Sequence, residues 1–464
     1  MTLFSTLRKS YESSPVFIQK IATALPFRLI AGRRYRETFR LAQRFEFASR
    51  DDIREYQSDQ LNKILSFAVD QVPVYRKYRT CVQYHTPFEA IRFFPCVSKT
   101  EIQNNFESYI PDCIRKIPHH RATTGGSTGN QFPFLEDDTT PQRELAHIHT
   151  LWKRVGYSPD RRRITFRGLT FPKAEKGIYW QQNAIYRELR VSPMHLCEKN
   201  IEKYISVIKK FNPSYFYGYP SAISCFAGLI SGLTLKETLP DLEGIFLCSE
   251  GVTEDIRGKI QSISPCRVYS HYGQSERVVL AGECEVSDNH YHALPTYGYL
   301  EILDEHGNES KEGELGEIVG TGFLNYSMPL IRYKTDDCAA RLGIDCRCGR
   351  KHDTITHVIG HRGYEAFVWG KNGTKFHAAT LHMGKCGEIF DHVVRYQYYQ
   401  DTPGKLEIRV IPNARFTEED KHMILREHRR KVGGELDCEV VLVDDIPLTV
   451  SGKQPRIVRA TENH

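Results

Sequence analysis

The chain has 464 residues, of which 40% are hydrophobic and 26% charged, with a formal net charge of +6. That length suits two or three globular domains. A mean hydropathy of −0.46, with no apolar run near the ~18–20 residues that span a bilayer, excludes a polytopic membrane protein, a disordered tail and a collagen-like chain.

The charge is unevenly placed. Residues 1–50 hold ten Lys/Arg against Glu12, Glu37 and Glu46, and the rest of the chain is nearly neutral. Such a basic segment can dock on anionic lipid or an acidic partner. The plainer reading is a solvated helix covering the main domain. No basic stripe accompanies a reading element, so nucleic acid is not an expected partner. The amino terminus has no continuous apolar h-region, and the thirteen cysteines are scattered, mostly singly in apolar surroundings such as Cys225 and Cys248. Both features fit a cytoplasmic chain with reduced thiols, with a peripheral contact on the inner membrane face through residues 1–50 as the other option.

The first hundred residues read mainly as helices; Leu61, Ile64, Leu65 and Ala68 make an i, i+3, i+4, i+7 face between Ser58 and Val72. Next comes Thr123-Thr124-Gly125-Gly126-Ser127-Thr128-Gly129, three glycines and four hydroxyls in seven residues. Glycines let successive backbone N–H groups turn inward as an anion nest, and hydroxyls add donors for phosphate oxygens. The lysine of a Walker loop is missing, and alone such a run is more often a flexible surface loop. From about residue 160 strands and helices alternate. Ile201, Tyr204, Ile205 and Ile208 form a helical stripe, followed by the short run Ser214 to Tyr217. Gly244 to Cys248 is a strand, Thr253 caps a helix, and Arg267 to Ser270 is the next strand. This order predicts an α/β domain with parallel strands. Ligands bind beyond the carboxyl ends of such strands. Three turns are expected there: Tyr217-Gly218-Tyr219-Pro220, Ser249-Glu250-Gly251 and Tyr272-Gly273-Gln274-Ser275-Glu276. Beyond residue 360, strand, helix and strand (with Thr417 and Asp420 as a capping box) predict a small, separate α+β domain.

Four segments carry the chemistry, in this order: the Ser/Thr/Gly loop, Tyr272-Gly273-Gln274-Ser275-Glu276, Arg332-Tyr333-Lys334-Thr335-Asp336-Asp337, and Pro447-Leu448-Thr449-Val450-Ser451-Gly452-Lys453. Together they resemble the adenylate-forming (acyl/aryl–CoA synthetase) superfamily. The TTGGSTGN, MPLIRYKTDD and CRCGR stretches look most like its phenylacetate–CoA ligase branch, which includes members linked to capsular polysaccharide synthesis. The resemblance covers roughly residues 50–460. It implies a large domain, 1–359, and a small mobile domain, 360–464, turning at a hinge near Gly360. It implies ATP, Mg²⁺ and CoA, and a small carboxylic acid as substrate.

The resemblance also implies roles. Thr124, Ser127 and Thr128, with Gly125, Gly126 and Gly129, would hold the departing pyrophosphate. Glu276 would hold Mg²⁺, and Tyr272, beside Gly273, would lie against adenine. Asp337 would accept hydrogen bonds from both ribose hydroxyls. Lys453 would reach between the carboxylate and the α-phosphate. Ser249, Glu250 and Gly251 would line the nucleotide side, and Tyr217, Gly218, Tyr219 and Pro220 the acyl pocket, with room for an aromatic or small polar acid. Where that branch has Gly-Arg at the start of the small domain, this chain has Gly360-His361-Arg362, so Arg362 substitutes or the contact is lost. Asn130-Gln131 stands where many members carry Pro and Lys.

Cys346-Arg347-Cys348 is shorter than the usual zinc knuckle. Cys284, with His290 and His292, can complete a Cys₃His set, and the resembled branch carries such a hairpin with a structural Zn²⁺. His292 is preferred and Cys338 stands in reserve; four unrelated reduced residues are the alternative. Two rival functions remain open: an amine or hydroxyl acceptor on a polysaccharide precursor, and a weakly catalytic scaffold of the same fold.

Overall fold

The computed structural model describes residues 26–123, 132–167, 171, 173–230, 239, 241–360, 367–377, 381, 392–432, 434–449 and 452–460. The expectations for residues 1–25, for Thr124, Gly125, Gly126, Ser127, Thr128 and Gly129, and for Arg362 lie outside them. The fold is α/β, in two compact units. The first comprises Met1–Asp160, Ala184–Tyr186 and Tyr269–Val358; the second comprises Arg161–Asn183, Arg187–Val268 and Ile359–His464.

In the first unit, helix Gly32–Phe45 buries Tyr35, Thr38, Phe39, Ala42 and Phe45, an amphipathic stripe. It packs on helix Thr140–Lys153, where Tyr35 Oη meets His149 Nδ1 at 2.8 Å. Arg33, Arg34, Arg40 and Arg44 stay exposed. Residues 26–50 therefore cover the main fold with their apolar side and leave the cations in water. Helix Arg50–Gln71 begins at a Ser49/Asp52 capping box and buries Leu61, Ile64, Leu65 and Ala68, the face its spacing predicts. These side chains join Val278, Ile318 and Tyr333 in one core.

The paired strands of this unit are antiparallel. Gly298–Leu303, Leu315–Gly322, Tyr333–Leu342, Thr354–Ile355, Tyr291–Ala293 and Leu280–Gly282 pair in that order. The connecting segments are too short for the crossover helices that parallel pairing needs. A separate hairpin, His119–Thr123 with Pro133–Asp137, flanks the Gly-rich loop.

The second unit holds the parallel strands. Glu188–Val191, Arg163–Phe166, Tyr215–Gly218 and Gly244–Cys248 lie side by side, with Trp180–Asn183 antiparallel at the edge. Tyr215–Gly218 and Gly244–Cys248 are buried throughout. Covered on both faces, they read as continuous apolar runs rather than alternating ones. Helix Glu198–Phe211 carries the predicted stripe. Thr253 is the N-cap of helix Glu254–Ile263, but its hydroxyl makes no cap bond; it accepts from Arg456 instead, at 2.8 Å. The carboxy-terminal part has the four-stranded order Asp437–Leu442, Lys405–Pro412, Val393–Gln400, Ile457–Arg459. Helix Glu418–Val432 follows the Thr417/Asp420 capping box, in which Asp420 accepts from the Thr417 amide at 2.7 Å.

Candidate active site

Two clusters, one in each unit, gather the residues that the motifs single out. In the first unit the Tyr272–Glu276 and Tyr333–Asp337 segments are tied crosswise. Tyr272 Oη donates to Asp337 Oδ2 at 2.9 Å, and Tyr333 Oη donates to Glu276 Oε1 at 2.7 Å. Each segment's leading tyrosine thus fixes the closing carboxylate of the other. Burial pushes the Glu276 carboxyl above its usual range, against the Tyr333 hydrogen bond. Burial, and then the neighbouring Asp337 charge, push the Tyr272 phenol well up, so it stays a neutral donor. Asp336 sits at φ +59°, and Thr335 Oγ1 accepts from the Asp337 amide at 3.2 Å, which turns Asp337 out of the regular strand. One Asp337 oxygen is therefore already engaged by Tyr272, where the sequence suggests both free for ribose.

The turn after Glu276 is anchored by a residue that carries no motif. Arg277, at φ +59°, pairs with Glu136 on the strand Pro133–Asp137 and with Glu144 on helix Thr140–Lys153. Glu276 and the hairpin that flanks the Gly-rich loop are so held to one another. Nothing in local spacing signals this; Arg277 and Glu136 are 141 residues apart.

In the second unit, Arg167, Tyr219 and Ser249 leave the parallel strands at the same edge. The close register there requires Gly218, since a Cβ would collide with the Phe166 carbonyl oxygen. Ser249 takes φ +66°. Glu250 then reaches the start of helix Pro220–Leu229, accepting from Ser221 N and Ser221 Oγ, each at 3.0 Å. The helix has no cap of its own, so Glu250 supplies one from the neighbouring turn. Burial pushes the Glu250 carboxyl up, while Ser221, Lys453 and the Gln454 backbone amide favour its charged form. Lys453 Nζ lies 5.8 Å from the Tyr219 ring centroid. Its loop is closed by Lys453 N to Thr449 Oγ1 at 3.0 Å and Thr449 N to Lys453 O at 2.8 Å.

Tyr217, expected on the acyl side, accepts from Arg167 NH1 at 3.0 Å. Arg167 also lies over Tyr217 and Tyr219, 5.6 and 5.4 Å from their centroids. Burial pushes the Tyr217 phenol up, so it is neutral at physiological pH. Sequence reasoning missed Arg167, which follows the strand Arg163–Phe166 without any recognisable motif.

The cysteine–histidine residues also converge, all within the first unit. Ligand atoms of Cys284, His290, His292 and Cys346 lie within 4.8 Å of one another. Cys284 Sγ is 3.7 Å from Cys346 Sγ, and Cys348 Sγ is 3.6 Å from His292 Nε2. Zn–S bonds near 2.3 Å and Zn–N bonds near 2.0–2.1 Å give tetrahedral edges of about 3.8 and 3.6 Å for these two pairs. His290 Nε2 and His292 Nδ1 are buried with no hydrogen-bond partner. The donor set and spacing fit a tetrahedral metal ion; the group within 4.8 Å includes His290, which the preference for His292 set aside, while Cys348, whose thiol approaches His292, and Cys338 lie outside it. Beside it, Glu46 is held by Arg154 at 2.7 Å and Arg350 at 2.8 Å.

The fold is that of the adenylate-forming ligases: a crystal structure of 2-hydroxyisobutyryl-CoA ligase in the postadenylation state superposes with a TM-score of 0.70 at 16% identity, covering 90% of this chain and 92% of that one. In sequence, residues 368–460 match the CapK C-terminal domain. The chain is 23% identical to Protein CapK of Staphylococcus aureus over 70% of its length and 71% of that protein. It is 20% identical to the phenylacetate-coenzyme A ligase of Thermus thermophilus over 89% of its length and 95% of that protein. In sequence the chain is thus similar to phenylacetate–CoA ligase and CapK, as the order of its motifs suggests, and in fold to an adenylate-forming ligase. No described helix is long and apolar enough to cross a membrane.

Proposed function

We propose that the chain is an ATP-dependent carboxylic acid ligase that forms an acyl-adenylate, releases pyrophosphate and passes the acyl group to a thiol such as CoA. The observation that carries this reading is the crosswise pair of tyrosine–carboxylate bonds, Tyr272 to Asp337 and Tyr333 to Glu276. Each places an acid where a general surface carboxylate would not be held. The 2-hydroxyisobutyryl-CoA ligase structure is of a complex with an acyl-AMP, and the named phenylacetate-CoA ligases support the same reaction type.

In this reaction charge develops on the α-phosphate as the carboxylate attacks, and fixed donors there lower the barrier. Lys453 supplies that charge, with Glu250 and Tyr219 orienting it. Asp337 receives a ribose hydroxyl, and Tyr272 lies along the adenine. Glu276 fits Mg²⁺, which favours few protein carboxylates together with phosphate oxygens; when bound, it neutralises phosphate charge. The hydroxyls of Thr124, Ser127 and Thr128 hold the pyrophosphate, and Arg362 stands in for the arginine at the hinge near Gly360.

Asp337→Ala tests the nucleotide assignment. It removes a charged acceptor of ribose, at about 1.5–3 kcal/mol per hydrogen bond, and frees Tyr272. Calorimetry should show ATP affinity falling roughly 10- to 100-fold with little loss of thermal stability. Unchanged affinity would remove Asp337 from the ribose site.

Zn²⁺ belongs to this reading as a structural ion held by Cys284, His292, Cys346 and Cys348, closing the hairpin and leaving no position for substrate. Purified protein should contain about one zinc per chain, and chelator or acid should release it and lower the melting temperature, because thiolate ligands must be deprotonated. His292→Ala should lose the metal and His290→Ala should keep it. Metal-free protein from a chelator-free purification would end the zinc assignment.

A further inference from the structure

We propose that the acid this chain activates carries a second anionic group on a short spacer, and that Arg167 selects it. The inference rests on the ligase reading and deepens it by naming the substrate class.

The strand that ends beside the half-buried Arg167 shows how this chain treats a cation at this edge. Arg163, four residues earlier, meets Glu188 at 3.3 Å, and Glu188 is shared with Arg190 at 2.7 Å. Arg167 has no such partner: no carboxylate lies within salt-bridge distance of it among the described residues. Half-buried, it faces two aromatic rings, a neutral phenol oxygen and the Cys248 thiol. Cation–π contacts offset only part of the desolvation of a guanidinium. Interior charges are normally paired or coordinate a ligand. A guanidinium offers five N–H donors in a planar fork suited to a carboxylate or phosphate, and among the described residues its acceptors are tyrosine oxygens.

Its position makes the missing counter-charge part of a substrate. Arg167 lies at the carboxyl edge of the parallel strands, where the Tyr217–Pro220 turn begins. Tyr219 is common to both cations: its ring centroid is 5.4 Å from the Arg167 guanidinium carbon and 5.8 Å from Lys453 Nζ. The two charges can be separated by no more than those distances laid end to end. Once each cation contacts an oxygen at roughly 2.7–2.9 Å, the gap left spans only a few carbons. An acid whose reacting carboxylate faces Lys453 can place a second carboxylate or phosphate at Arg167. A simple aliphatic or aryl monoacid would leave Arg167 uncompensated as it displaces water from the pocket.

Acid-dependent pyrophosphate release, measured with matched pairs (succinate against butyrate, glutarate against valerate, phthalate against benzoate), tests this. For at least one pair the dianion should have the higher kcat/KM, by about 10- to 100-fold, the scale of one charge-assisted hydrogen bond. Arg167→Met should make the paired values converge, through KM for the diacid, and Arg167→Lys should keep part of the preference. Monoacids equal to or better than their diacid partners would overturn the inference while leaving the ligase reading intact. A preference that survives in folded Arg167→Met, or an effect on KM for ATP alone, would likewise overturn it. Silence with every acid of both classes would remove the ligase reading, and the inference with it.

Discussion

Lys453→Ala should slow adenylation by ~10²–10³, the loss that follows removal of one preorganised charge-stabilising donor. The lysine is fixed for that step by its surroundings. Thr449 closes its loop through two hydrogen bonds. Glu250, which also caps helix Pro220–Leu229, receives the next residue's amide and attracts the ammonium. The Tyr219 face lies below it. Because the lysine neutralises charge that appears only as the carboxylate attacks, the substitution should reduce kcat for adenylation more than it raises KM for the acid. On the proposed reading the lysine leaves before acyl transfer, so transfer from a supplied acyl-adenylate should stay near wild type. Single-turnover assays of each half-reaction separate the outcomes. Equal losses in both would indicate general disruption, and no loss in either would make Lys453 an ordinary surface lysine.

The largest expected stability effect lies far from that chemistry, at Glu46. Its side chain is 5% exposed, and it neutralises Arg154 and Arg350, 1% and 3% exposed. Burial raises the carboxyl, but Arg154 and then Arg350 more than offset this and hold it down to about 2. Glu46→Gln leaves the buried Arg154 without its carboxylate and Arg350 with Glu285 alone, and should destabilise by about 3–5 kcal/mol. A carboxyl lowered on folding contributes stability that is full above its unfolded value, near 4.3, and is lost as pH falls towards the folded value. From that difference Glu46 contributes about 3 kcal/mol at neutral pH. Urea melts should therefore show the gap between wild type and Glu46→Gln wide at pH 7 and closing between about pH 4.5 and 2. Equal midpoints at pH 7 would contradict the assignment of this network.

What the chain discloses before folding is its local content. The stripe Leu61, Ile64, Leu65, Ala68 and the cap at Thr417 depend on neighbours within one or two turns, and both stand in the structure. The order of four short segments carries the superfamily resemblance for a similar reason: each is a turn with its own residue chemistry. Features made by distant pairing stay hidden. Tyr333 lies inside a recognised segment, yet its bond to Glu276 joins residues 57 apart. Arg277 and Arg167 belong to no segment, and their partners come from elements distant in sequence. The preference for His292 over His290 rests on the resembled Tyr-His pattern before a strand, and both histidines reach the cluster. Thr253 shows tertiary structure overriding a local preference, because Arg456 takes the hydroxyl that would cap its helix.

Carboxylate-dependent exchange of labelled pyrophosphate into ATP tests the central claim most directly, since it reports formation of an acyl-adenylate without needing to know the acceptor. The account predicts exchange that requires Mg²⁺ and a particular added acid, is strongest with a dianionic one, and falls by ~10²–10³ in Lys453→Ala. Absence of exchange across a broad panel of mono- and dianionic acids, together with no measurable ATP binding, would contradict it and leave a scaffold of the same fold.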